Sequence, residues 1–131
     1  MELPHQNITD KIIKSFYEVY NILGYGFLEK VYESSLYNEL ISCGHSCERQ
    51  KKIDVYYKEK LVGEYYADII AEEKVIIELK AAETICEERE FQLINNLKAT
   101  NIEVGLLLNF GKKPEIRRKI FTNDRKLNSY P

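Results

Sequence analysis

The sequence predicts an α+β fold in which a mixed β-sheet is flanked by helices, in the order α-α-β-β-β-α-β plus a basic tail. Three observations predict this class. Apolar residues recur first at helical spacing, then alternate with period two, and a continuous apolar run follows a further helical stretch. Because 131 residues suffice for one core, we expect a single domain over 1–131.

Two helices open the chain. Ile12, Phe16 and Val19 are spaced four and three residues apart, which predicts a helix over about 8–23. A second apolar stripe predicts a helix over about 27–43, after a corner that contains two glycines.

Three strands follow, at 53–57, 61–71 and 75–81, separated by charged turns. Successive side chains of a strand point to opposite faces. In the third strand this places Glu78 and Lys80 on one face and the apolar residues at odd positions on the other.

Helical spacing returns at about 86–100, with Phe91, Ile94 and Leu97 as the expected apolar side. The apolar run at 104–110 has strand length and predicts an interior strand covered on both faces.

The tail, 112–131, is basic, and its segment 117–121 reads as either an edge strand or a short helix. Its acidic residues are Glu115 and Asp124. The basic residues are Lys112, Lys113, Arg117, Arg118, Lys119, Arg125 and Lys126. This excess could contact a nucleic-acid backbone or be an ordinary solvated terminus.

The overall charge of −2 excludes a strongly basic nucleic-acid binder as a description of the whole chain. No apolar run approaches the ~20 residues that span a bilayer, and residues 1–10 lack a signal-peptide core, so we expect no membrane association. The three cysteines favour a reducing, cytoplasmic location.

The charged residues of the third strand are the strongest indication of a catalytic or metal-binding site in the sequence. With a turn at 72–74, Asp68 comes to lie roughly opposite Glu78, and opposed carboxylates repel. A divalent metal held by both would offset the repulsion, and Lys80 could then orient a water or stabilise a phosphate. The alternative is a solvated strand face with a Glu–Lys pair.

Asp68 followed by Glu78-Leu79-Lys80 resembles the core motif of the PD-(D/E)XK nuclease superfamily. Residues 26–32 match the Gly-x-x-Glu-x-x-Tyr signature of the GxxExxY proteins. The resemblance covers about 8–118, and its further matches are Glu39-Leu40, Gln50, Tyr57, Gln92-Leu93, 97–100 and 108–111.

The resemblance implies a restriction-endonuclease-like core with the carboxylates on a central hairpin. By similarity to the lambda-exonuclease-like and RecB-like branch, the site would comprise Glu29, Asp68, Glu78, Lys80 and Gln92, with the Leu79 carbonyl as a further metal ligand. Two positions depart from that branch: Asn96 stands where a tyrosine is frequent, and Tyr20 where a histidine is frequent.

Several of these side chains also have simpler explanations. Glu29 opens the second helix, where the helix dipole favours a carboxylate, and Glu33 on the same face is the alternative candidate. Tyr32 either contacts phosphate or packs, and Gln92 could be a solvated helix residue.

The expected function is hydrolysis of nucleic-acid phosphodiesters, in DNA rather than RNA, with Mg²⁺ or Mn²⁺ as cofactor. The alternatives are a non-catalytic module that binds nucleic acid or protein and keeps the nuclease fold, and a subunit that needs a partner. A closed homo-oligomer would favour threading of a nucleic-acid end.

Overall fold

The computed structural model describes residues 3–126 of the chain. The helices are α1 (Gln6–Leu23), α2 (Glu29–Ser42) and α3 (Glu87–Lys98). The strands are β1 (Cys47–Tyr57), β2 (Lys60–Ala71), β3 (Val75–Lys80), β4 (Val104–Phe110) and β5 (Pro114–Ile120), and a short 3-10 helix spans Asn123–Arg125. The predicted α-α-β-β-β-α-β order is confirmed, and part of the basic tail forms β5. Residues 127–131 of that tail lie outside the described residues.

The strands form one five-stranded sheet in the order β1-β2-β3-β4-β5. β3 and β4 run parallel and every other neighbouring pair is antiparallel, so the sheet is mixed, as predicted. A parallel pair needs a crossover connection, and α3 provides it. β4, as expected of its apolar run, is buried along its whole length.

The sheet separates two apolar layers. On one face, α1 and α2 pack over a core in which the Tyr32 ring stacks on Phe110 at 4.3 Å between centroids, with Phe16 at 4.7 Å from Phe110. On the other face, α3 contributes Leu93 and Leu97 to a smaller cluster. β3 supplies side chains to both layers by alternation, which leaves its even positions on the α3 side. None of the helices within residues 3–126 has both the length and the apolar character needed to cross a membrane.

Two elements differ from the sequence prediction. β1 begins at Cys47 rather than at 53, because polar residues that pair with β2 carry no apolar alternation. α3 is rotated about its axis relative to the prediction: Leu93 and Leu97 face the sheet, and Phe91 is 56% exposed. Of the two alternatives for the tail segment, the edge strand is found, because β4 offers it an open edge to pair with.

Much of the positive charge of β5 is paired with acidic side chains. Lys119 Nζ lies 2.7 Å from Glu90 Oε1, and Arg117 Nη2 lies 3.5 Å from Glu115 Oε2. The basic strand is therefore packed into the domain and is not a freely solvated terminus.

The hairpin that joins β2 to β3 turns on two residues in the left-handed region. Glu72 and Glu73 both have φ of 56°, and the Lys74 N–H donates to the Ala71 carbonyl at 2.9 Å. This φ favours glycine or asparagine in two-residue hairpin turns, because a Cβ makes it costly. The hairpin that brings Asp68 and Glu78 together is thus closed at a conformational cost.

We predict that Glu73→Gly raises the free energy of unfolding by about 1 kcal/mol, because glycine adopts this φ without the steric penalty. Urea unfolding measures the change. Glu73→Ala is the matched control, since it removes the same exposed charge but keeps a Cβ. Equal effects of the two substitutions would contradict the backbone explanation.

Candidate functional site

β2 and β3 separate at Asp68 and Glu78. The antiparallel ladder ends at the pair Ile69–Ile77, and its register, continued by one residue, sets Asp68 opposite Glu78. Asp68 Oδ2 accepts a hydrogen bond from the Leu79 N–H at 2.8 Å. The Asp68 carboxylate thus takes the place of a backbone carbonyl as the acceptor for Leu79. Beyond the pair Ile69–Ile77 the strands β2 and β3 are no longer paired, and we call this opening the gap.

Glu78 is the most perturbed titratable group of this site. Its Oε1 is buried and has no hydrogen-bond partner among the described residues. Burial, followed by the neighbouring Asp68 carboxylate, raises the pKa of Glu78 from 4.5 to about 9, against the opposing effects of Lys80 and the Asn96 amide. With no cation present, Glu78 therefore carries a proton at neutral pH.

The oxygen atoms at the gap fit a hard divalent cation. In an extended strand the N–H and C=O of one residue point to the same edge, so the Leu79 carbonyl faces Asp68 as its N–H does. No group of three or more His, Cys, Asp or Glu side chains within residues 3–126 is arranged to hold a metal. Two carboxylates and a carbonyl suit Mg²⁺, which usually takes one or two carboxylates and completes its shell with water and phosphate.

The glutamate of α2 that the structure links to Asp68 is Glu33, not Glu29. Glu33 is 5% exposed, and its Oε2 accepts from Arg49 Nε at 3.1 Å and Nη2 at 2.9 Å. Gln50 Nε2 donates to Glu33 Oε1 at 2.7 Å and to Asp68 Oδ1 at 3.2 Å. Glu29 lies one turn earlier on α2 and is exposed.

On the α3 side, Asn96 lies near Glu78. It is 3% exposed, and its amide lowers the pKa of Glu78 against the larger effect of burial. Gln92, one turn before Asn96, is exposed and accepts a 3.4 Å hydrogen bond from Arg89 Nη1. Lys80 is partly buried and shares the Glu78 face of β3. Asn96 follows Gln92 by four residues, so the sequence places the two on one face of α3, although by resemblance Asn96 stands where a tyrosine is frequent.

Tyr32 packs and does not reach toward the gap. Its side chain is fully buried, and its hydroxyl donates to the Gly24 carbonyl at 2.7 Å and accepts from the Phe27 N–H at 3.3 Å. The tyrosine of the Gly-x-x-Glu-x-x-Tyr pattern thus closes the glycine corner that leads into α2.

Asn109 fixes the chain just beyond Lys80. Its Nδ2 donates to the Ala82 carbonyl and its Oδ1 accepts from the Ala82 N–H, both at 2.9 Å. Gly111 is required nearby, because a Cβ there would lie 2.2 Å from the Ala82 carbonyl oxygen. Nothing local in the sequence indicates this role of Asn109, since its partner Ala82 lies 27 residues away.

The raised pKa of Glu78 predicts a pH dependence of stability. Between its ordinary value of 4.5 and about 9, the folded protein holds a proton that the unfolded chain has lost. Stability therefore falls as pH rises through this window, by at most about 1.4 kcal/mol per pH unit for one group.

We expect Glu78→Gln to flatten this slope in urea unfolding from pH 5 to 8 with EDTA. Glu73→Gln, at an exposed turn position, should keep the wild-type slope. Equal slopes for the Glu78→Gln variant and the wild type would contradict the assignment.

Comparison with known proteins agrees with this geometry. No curated protein and no solved structure matches the chain. The family model of the PD-(D/E)XK nuclease superfamily matches residues 6–119, from the start of α1 almost to the end of β5. The five-stranded mixed sheet flanked by three helices is the restriction-endonuclease-like fold of that superfamily. With the match extending over most of its length, the chain belongs to the PD-(D/E)XK nuclease superfamily.

Proposed function

We propose that this protein is a divalent-metal-dependent nuclease that hydrolyses phosphodiester bonds, with DNA as its substrate. The observation that carries the proposal is the pair of adjacent carboxylates, Asp68 and Glu78, at the gap where β2 and β3 separate. The buried, unpartnered Glu78 Oε1 is an oxygen that a cation would satisfy. Superfamily membership supports the same reaction class.

Asp68, Glu78 and the Leu79 carbonyl would hold Mg²⁺ or Mn²⁺. Such an ion polarises a phosphate and lowers the pKa of water. Lys80, on the same face as Glu78, would orient the attacking water or neutralise the charge that develops on the phosphate. Asn96 would keep the Glu78 carboxylate in place through its amide.

Glu29 and Gln92 would act from the two helices that flank the gap. Both are exposed, so both remain available to substrate. Glu29 would complete the metal shell directly or through water, and Gln92 would orient the phosphate. Glu33 is ion-paired with Arg49, whose guanidinium already neutralises its charge, which favours an indirect role for Glu33.

The finer assignments belong to the same proposal. The glycine-to-tyrosine pattern at 26–32 supports the GxxExxY group, and Gln92 on α3 supports the lambda-exonuclease-like and RecB-like branch. Lys112 and Lys113 are exposed next to β5 and could contact the nucleic-acid backbone. The free state of all three cysteines is compatible with the proposed cytoplasmic location.

The test is cleavage of labelled linear and circular DNA with Mg²⁺ or Mn²⁺, beside EDTA. We expect metal-dependent cleavage that falls more than about a hundredfold in Asp68→Ala, because removing a ligand should cost more than removing its support. Asp124→Ala removes an exposed carboxylate of the 3-10 helix and should retain full activity.

Cleavage of the circular substrate would identify endonuclease action. Absence of cleavage above the Asp68→Ala background, on single- and double-stranded DNA and RNA alike, would contradict the proposal. It would favour a non-catalytic binding module or a subunit that needs a partner.

The roles of the two helix glutamates are separable. We expect Glu29→Gln to lower kcat about tenfold or more and the free energy of unfolding by less than about 1 kcal/mol, since the exposed side chain stabilises the fold only through the dipole of α2. Glu33→Gln should lower the free energy of unfolding by about 1–3 kcal/mol, since it weakens the pairing of Arg49. Single-turnover kinetics and urea unfolding measure the two effects. If Glu29→Gln has the wild-type kcat, the proposed role of Glu29 in the site is wrong.

A further inference from the structure

Gln50 interrupts the pairing of β1 with β2 directly beside Asp68. The ladder pairs Arg49 with Ile69 and Lys51 with Ala67, but the intervening Gln50 and Asp68 are not paired. Gln50 has φ of 50°, in the left-handed region that glycine or asparagine usually occupies. The backbone is thus held in a costly conformation at the residue of β1 that the register sets opposite Asp68.

The Gln50 side chain uses this conformation to bridge two carboxylates. Its Nε2 lies 2.7 Å from Glu33 Oε1 and 3.2 Å from Asp68 Oδ1. An amide nitrogen carries two hydrogens and can donate to both acceptors at once. Because the Leu79 N–H binds Asp68 Oδ2, both oxygens of the Asp68 carboxylate are oriented by donors from the protein.

Glu33, at the other end of the Gln50 bridge, is itself held in place by Arg49. Arg49 donates to Glu33 Oε2 from two nitrogens and to Ser34 Oγ at 2.8 Å, and its guanidinium lies 5.1 Å from the centre of the Tyr37 ring. Glu33 is therefore fixed on α2, and it can hold Gln50 in turn. A continuous set of hydrogen bonds runs from α2 to Asp68.

We propose that Gln50 is a positioning residue of the metal site, which holds the Asp68 carboxylate in its metal-binding orientation through the bridge to Glu33. This inference rests on the proposed function, since it assigns Asp68 as a metal ligand. Groups that hydrogen-bond to metal ligands fix the orientation of those ligands, and their removal typically weakens metal binding about 10–100-fold.

The left-handed backbone at Gln50 allows metal binding to be separated from stability. Gln50→Gly removes the amide and relieves the backbone, whereas Gln50→Ala removes the amide and keeps a Cβ at a φ of 50°. If Gln50 positions Asp68, both variants lose metal affinity by the same factor. If Gln50 served only the fold, metal affinity would not change in either variant.

The experiment is titration of the metal-free protein with Mn²⁺, followed by calorimetry, with thermal unfolding measured in parallel. We expect the Kd for Mn²⁺ to rise about tenfold in both Gln50 variants, and Gln50→Gly to unfold at a higher temperature than Gln50→Ala. Glu73→Gly is the matched control, because it relieves a similar backbone at the far end of the β2–β3 hairpin. It should leave the Kd at the wild-type value.

The outcomes separate the two proposals. Wild-type protein that binds Mn²⁺ no better than Asp68→Ala overturns the metal site, and the role of Gln50 with it. Wild-type protein that binds Mn²⁺, with unchanged Kd in both Gln50 variants, overturns the role of Gln50 alone. In cleavage assays the positioning role further requires that saturating Mn²⁺ restores most of the wild-type kcat.

Discussion

The repulsion between Asp68 and Glu78 is the constraint on which the rest of this site depends. Two carboxyl groups lie side by side at a point where one of them is largely removed from water. Such an arrangement is unfavourable unless a proton or a cation occupies it. The surrounding residues supply donors to Asp68 and leave Glu78 Oε1 without one. The protein itself thus leaves the negative charge of this carboxyl pair uncompensated, and a bound proton or cation is needed to neutralise it.

The fold keeps the two carboxyl groups together by fixing the segments of chain around the gap between β2 and β3. The turn at 72–74 holds β2 against β3, and Asn109 fixes the segment that follows Lys80. Tyr32 fixes the start of α2, and Glu33 on that helix accepts the hydrogen bond from Gln50. The Asn109–Ala82 and Glu33–Gln50 contacts join residues 27 and 17 positions apart in the sequence, so the site exists only when the helices and the sheet have assembled together.

Local patterns in the sequence predicted most of the helices and strands of this molecule and their order along the chain. The strand alternation around Glu78, the apolar run of β4 and the two opening helices each depend on periodicity within one segment, and all are found. The opposition of Asp68 and Glu78 was predictable as well, because a tight turn converts a ten-residue spacing into a cross-strand pair. The PD-(D/E)XK resemblance added the superfamily, which the family match over 6–119 confirms.

What the sequence did not predict depends on rotation and long-range contact. Phe91 was predicted on the apolar side of α3 and yet is exposed, because Leu93 and Leu97 form the side that packs on the sheet. Periodicity left the choice between Glu29 and Glu33 open, since the two share a helix face. Gln50 carried no local signal of its role, because its two partners lie 17 and 18 residues away in the chain.

The protonated Glu78 carboxyl has a consequence for the ionic environment of the protein. A proton and a divalent cation compete for the same oxygen atoms, so occupation by one expels the other. The apparent strength of cation binding would then increase with pH until Glu78 is ionised at about 9. At the proposed metal site, each binding event would release a proton into the solvent, and acidification would weaken metal binding.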